Sequence, residues 1–107
     1  MHKAGEMNGL ESRYADHLEK RKMAGEITVW RFEAITLRLA PRTTYTPDFF
    51  VLLPDGRQEI HEAKGFWRED ASVKWKMAIQ LFPWYTFRAL TWDGGWFEQV
   101  WNLKHGL

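Results

Sequence analysis

The sequence predicts an α/β domain, a mixed sheet flanked by helices with a β-ribbon closing the chain. Three observations carry that expectation. An amphipathic helix pattern occupies residues 9–24, a hairpin pattern joins residues 49–64, and a strand-helix-strand succession runs from Glu59 to Trp92. Such a succession implies a crossover, so the last strand is expected parallel to the one that starts at Glu59. At 107 residues the chain is expected to be one domain, residues 1–107, with room for a real but not generous core.

Residues 1 to 7 are polar and expected to fray. Asn8 is a good N-cap, and the helix should run from Gly9 to Ala24, with Gly25 in the left-handed position that ends it. Lys20, Arg21 and Lys22 fall in the last turn, where they complement the helix dipole. Met7, Leu10, Tyr14, Ala15 and Leu18 form one apolar arc, and Asp16 and Glu19 point away from it. Glu11 lies inside the arc. An acid there needs a partner, and a capping box with Asn8 offers one.

Ile27 to Leu39 is rich in β-branched and aromatic residues and is expected to form one long or kinked strand, with a bulge near Glu33-Ala34. Pro41 to Thr44 is then a loop, from which Arg42 could touch phosphate. Phe49 to Leu53 reads as a strand covered on both faces. Pro54-Asp55-Gly56 is the chemistry of a three-residue hairpin loop, a type I turn closed by a left-handed glycine. With that loop Leu53 faces Arg57, and Asp48 faces Glu62 on the same side of the sheet. Lys64, two residues on, shares that side.

Gly65 to Arg68 is a loop beside this group, in which Phe66, Trp67 and Arg68 are candidate nucleic-acid contacts. A second helix is expected from Ala71 to Phe82, capped by Asp70, with Val73, Met77, Ala78 and Leu81 on one face. Lys74, Lys76 and Gln80 are polar positions able to line a phosphate track. Pro83 stops the helix. Trp84 to Trp92 alternates as a strand, Asp93-Gly94-Gly95 is a turn, and Trp96 to Trp101 folds back as a final strand.

Two carboxylates brought together repel unless one is protonated or a cation lies between them. Oxygen ligands of this kind suit Mg²⁺, which takes one or two protein carboxylates and completes its shell with water and phosphate oxygens. Lys64 adds a positive group able to steer an attacking water or offset charge on a phosphate. Pro47-Asp48, a hairpin, then Glu62-Ala63-Lys64 resembles the PD-(D/E)XK nuclease superfamily, and Tyr45-Thr46-Pro47-Asp48-Phe49 in so short a chain is most similar to small phage-type relatives of Holliday-junction resolvases. The resemblance implies a restriction-endonuclease-like αβββαβ core. It implies Mg²⁺ (with Mn²⁺ able to substitute) held by Asp48, Glu62, the Ala63 carbonyl and Glu11, with Lys64 completing the catalytic set. It also implies a basic or Gln residue near the scissile phosphate, for which Lys76 and Gln80 are candidates, and a homodimer able to nick two opposed strands. The Trp-rich C-terminal ribbon is the expected pairing surface.

Composition narrows the alternatives. Net charge is only +1, weak support for a DNA partner, although acids in a metal site would cancel part of a basic groove. There is no cysteine, so no disulfide and no thiolate zinc site. No apolar leader or membrane-length run is evident, and a cytoplasmic protein is expected. His2, His17, His61 and His105 are scattered, and His61 points away from the Glu62 side. Two other readings compete with a nuclease acting on branched DNA. One is a catalytically silent DNA-binding module of the same fold, and the other a small phage protein that binds another protein.

Overall fold

The computed structural model describes residues 5–101, so His2 and His105 lie outside it. The first helix, α1, spans Gly9–Met23 and begins with a complete capping box. The Asn8 side chain accepts from the Glu11 N–H at 2.8 Å, and the Glu11 carboxylate accepts from the Asn8 N–H at 2.9 Å. It ends as expected. Gly25 has φ +79°, its N–H donates to the Lys22 carbonyl, and the Glu26 N–H donates to the Arg21 carbonyl, a Schellman motif. Glu11, Tyr14, Ala15 and Leu18 are buried, and Met7, just before the helix, packs with them rather than fraying.

Among the described residues the elements run in the order α1, β1 (Val29–Phe32), β2 (Leu37–Ala40), β3 (Thr43–Tyr45), β4 (Phe49–Leu52), β5 (Gln58–Ala63), α2 (Glu69–Leu81), β6 (Thr86–Trp92) and β7 (Trp96–Trp101). Five strands form one sheet in the order β1-β4-β5-β6-β7, with β5 and β6 parallel and every other neighbour antiparallel. The fold is thus α/β with a mixed sheet. Each face carries its own core. Tyr14, Leu18, Ile27, Phe49, Val51 and Leu90 pack on the α1 side, and Leu37, Leu39, Ile60, Trp75, Ile79 and Phe87 on the α2 side.

The first strand differs from expectation. The segment from Ile27 to Leu39 is cut in two at Glu33, which takes a left-handed φ of +49°. Its N–H makes the closing bond of the β1–β4 ladder, to the Asp48 carbonyl at 2.8 Å. The chain then leaves the sheet, and β2 and β3 pair as a separate two-stranded sheet. The reason is burial on two sides: Trp30 and Phe32 pack into the α1 core, whereas Leu37 and Leu39 pack into the α2 core. Thr43 and Thr44 are paired strand residues, so the Pro41–Thr44 loop shrinks to a turn in which Arg42 is exposed with φ +63°.

The second helix also departs. It starts at Glu69 rather than Ala71, and Arg68, not Asp70, is the N-cap, without a side-chain cap bond. Its buried face is Trp75, Ala78 and Ile79, while Val73 is 50% and Leu81 46% exposed. Trp75 decides the rotation. Its ring meets Phe87 at 5.3 Å, Trp67 at 5.4 Å, Trp101 at 5.7 Å and Tyr45 at 6.4 Å. Its indole N–H has no partner among the described residues, which costs ~1–3 kcal/mol. Burying the ring returns more, ~5 kcal/mol at ~25 cal/mol per Å² over roughly 200 Å². The following strand begins at Thr86 rather than Trp84, because the Tyr85 N–H is held in a turn by the Phe82 carbonyl.

Candidate active site

The hairpin β4–β5 has the expected loop. Gly56 has φ +91°, its N–H donates to the Leu53 carbonyl, and the Leu53 N–H donates to the Arg57 carbonyl. The ladder pairs Phe49 with His61 and Leu52 with Gln58, and that register continues to Asp48 opposite Glu62. The two acids do share a face. The Asp48 N–H donates to Glu62 Oε1 at 2.8 Å, and the Ala63 N–H donates to Asp48 Oδ2 at 3.1 Å. The Tyr45 hydroxyl, carried in by β3, also donates to Glu62 Oε1. Lys64 Nζ stands 3.7 Å from Glu62 Oε2.

Asp48 is 6% and Glu62 2% exposed, so the pair lies inside the protein, and only Lys64 reaches partly into solvent. Burial pushes the Asp48 carboxyl up to about 9, with the Glu62 and then the Glu11 charge adding to the effect and Lys64 opposing it. Burial also raises Glu62, against the Tyr45 hydroxyl, the Lys64 charge and the Asp48 N–H. The Tyr45 hydroxyl is itself raised well above 10 by burial and by Glu62, and so stays a donor. Both shifts run upward, so burial favours a proton held by the pair over two charges.

That proton marks a position a cation could take. Among the described residues no group of three or more His, Cys, Asp or Glu side chains converges as a ready-made metal cage. A set of two carboxylates is closer to the sparse protein shell of Mg²⁺ than to the closed shell of a structural zinc. Glu11 is committed to the capping box through Oε1, yet its charge is still felt at Asp48. Glu33, whose N–H reaches the Asp48 carbonyl, accepts from the Gly5 N–H through its side chain.

The surrounding candidates divide. Trp67 lies over Trp75 with its ring centre 6.0 Å from Lys64 Nζ, and Phe66 is 70% exposed beside it. Arg68 is exposed and sits 3.9 Å from Asp70. Lys74 donates to the Thr44 carbonyl at 3.0 Å, fastening α2 to β3 rather than facing solvent alone. Lys76 and Gln80 line a shallow apolar groove with Leu39, Met77 and Leu81. Of the ribbon tryptophans, Trp101 packs on Trp75 and is partly buried in the α2 core.

The opposite face of β5 holds a second polar group that sequence reasoning missed. Glu59 is bound by both ends of the Arg88 guanidinium, at 2.9 and 3.0 Å, and by His61 Nε2 at 2.8 Å. Burial opposes the Glu59 charge, but these hydrogen bonds hold its carboxyl down near 2. Burial lowers His61, so the ring is neutral and its one N–H goes to Glu59. Its Nδ1 then accepts from the Tyr14 hydroxyl at 2.6 Å, tying α1 to the central strand. The available signal was polar residues at alternate positions of a buried strand, Glu59 and His61. No family model matches the chain, and neither does any curated protein or solved structure.

Proposed function

We propose that this chain is a metal-dependent endodeoxyribonuclease that hydrolyses phosphodiester bonds, with Asp48 and Glu62 holding Mg²⁺. One observation carries the reading. Two buried carboxylates face each other beside a lysine ammonium, and burial raises the proton affinity of both, the Glu62 charge adding to the effect at Asp48. A salt bridge built only for stability would need one acid, whereas here the second acid raises the cost of the first.

The ion, when bound, supplies a Lewis acid that draws charge from a phosphate oxygen. The protein's own groups do the rest. Tyr45 and the Asp48 N–H fix Glu62 Oε1, leaving Oε2 turned towards Lys64. The Ala63 N–H fixes Asp48 Oδ2. Lys64 then offsets the negative charge that builds on the attacked phosphate, or orients the attacking water. In this reading Glu11 adds negative field from α1, and Phe66, Trp67 and Arg68 meet the nucleic acid where it approaches Lys64. Arg42, Lys76 and Gln80 contribute further out. A homodimer paired through the Trp-rich ribbon along the edge strand β7 would cut two opposed strands.

The test is incubation with linear duplex, single strand and a four-way junction, with Mg²⁺, with Mn²⁺ and with EDTA. Metal-dependent cleavage that disappears in Lys64→Ala is expected. Binding with a steep salt dependence but no cleavage would replace this reading with a silent DNA-binding module, and neither would leave a protein-interaction role.

A further inference from the structure

On the α1 side of the sheet, a cleft of about 350 Å³ is lined by Arg13, Asp16, His17, Lys20, Trp92 and Trp96. The first four recur at helical spacing and form one stripe of α1 beside its buried arc. The two tryptophans are cross-strand partners at the end of the β6–β7 ribbon, with rings 5.2 Å apart. Trp96 is fixed from behind by the edge of Tyr14, at 4.8 Å. The Arg13 guanidinium stands 4.4 Å over the Trp92 ring.

The lining narrows the ligand. A wholly apolar molecule would strip water from Arg13, Asp16 and Lys20 without replacing it. A bare anion would leave the indole wall unused. A flat π-system bearing one negative group uses both halves, and the volume lies at the small end of small-molecule sites. Asp16 offsets one of the two cations, which suits a single phosphate rather than a di- or triphosphate. We propose that this cleft binds an unpaired nucleotide, its base packed against Trp92 and Trp96 and its phosphate held by Arg13 and Lys20.

The position suits a nucleic-acid strand. Glu62 pairs with Ala89 in the parallel ladder, and Trp92 lies three residues further along β6. Strand geometry puts the Trp92 and Glu62 backbones ~11 Å apart at the same end of the sheet. The cleft and the acid pair face opposite sides of that end, so a strand crossing it reaches both.

The test requires no metal and no cleavage, so its outcome is separate from that of the nuclease reading. The indole N–H resonances of ¹⁵N-labelled protein, assigned with Trp92→Phe and Trp96→Phe, are followed in EDTA while dAMP or the tetranucleotide (dA)₄ is added. Saturable shifts confined to the Trp92 and Trp96 indoles are expected, with affinity at least tenfold weaker in the Arg13→Ala, Lys20→Ala double variant. Lys20→Ala alone, which keeps the Arg13–Trp92 contact, should weaken it about threefold. Tighter binding of (dA)₄ assigns the cleft to a strand, and equal binding assigns it to a free mononucleotide; either upholds base-plus-phosphate recognition. Absent or unlocalised shifts, equal affinity for deoxyadenosine lacking phosphate, or undiminished binding in the double variant would overturn it.

Discussion

Asp48→Asn should make the metal-free protein more stable in alkaline solution. The Asp48 carboxyl titrates near its ordinary value of 3.8 when unfolded and at about 9 when folded. A folded pKa above the unfolded one gives stability that is complete at low pH and drains away as pH rises towards 9. Between pH 7 and 8.5 folding takes up close to one proton at this pair, so unfolding free energy falls by ~1.4 kcal/mol per pH unit, or ~2 kcal/mol over the window. His61 does not interfere in this window. That ring is lowered by burial, so it contributes the opposite slope below its ordinary value of 6.5 and none above it. Asparagine is nearly isosteric. Its carbonyl still accepts from the Ala63 N–H and its amide can donate to Glu62. It needs no proton, so its slope should be shallower, with Glu62 alone left to titrate. Urea denaturation followed by circular dichroism in EDTA, at four pH values from 7 to 8.5, measures both slopes. Saturating Mg²⁺ should flatten the wild-type curve by taking the proton's place. A wild-type curve already flat in EDTA, or one that Asp48→Asn leaves equally steep, would refute the shared proton and the cation site inferred from it.

Three further outcomes are expected. Arg88→Ala leaves the Glu59 carboxylate buried without its bidentate partner and should cost ~3–5 kcal/mol in urea denaturation, far more than removal of the exposed Arg57. Glu11→Gln keeps an acceptor for the Asn8 N–H, so stability should stay within ~0.5 kcal/mol, while Glu11→Ala should cost ~1 kcal/mol. If the Glu11 charge serves the cation, Glu11→Gln should also weaken Mg²⁺ binding in calorimetry, and unchanged affinity would leave it a helix cap alone. Lys64→Ala should alter stability by no more than ~1 kcal/mol, since its partly solvated ion pair is screened, yet it should abolish cleavage.

The acid pair was legible because its geometry is encoded locally. Pro54-Asp55-Gly56 sets the loop, the loop sets the register, and the register aligns Asp48 with Glu62. Asn8, Glu11 and Gly25 likewise announce both ends of α1. What stayed hidden depends on distant partners. Nothing local marks Glu33 or Arg42 as left-handed, since neither is glycine; their conformations follow from sending Leu37 and Leu39 to the other core. Val73, Met77 and Leu81 give α2 a credible apolar stripe, and only the aromatic cage around Trp75 turns the helix away from it. The Tyr14–His61–Glu59–Arg88 group needs the parallel register that sets His61 beside Arg88, and hairpin reasoning cannot supply it.

The two-stranded sheet of β2 and β3 gives the molecule a seam. It shares no ladder with the five strands, its ends are marked by the strained backbones of Glu33 and Arg42, and Lys74 clasps it to α2 through the Thr44 carbonyl. Amide protons in such a unit can exchange through local opening at far lower cost than those of β5, which require the whole core to come apart. Tyr45 rides on that unit. Each opening would withdraw the hydroxyl from Glu62 and admit water to the acids while the main sheet keeps its register. Faster hydrogen exchange at Thr44 and Tyr45 than in β5 would show that the buried pair has such a route to solvent.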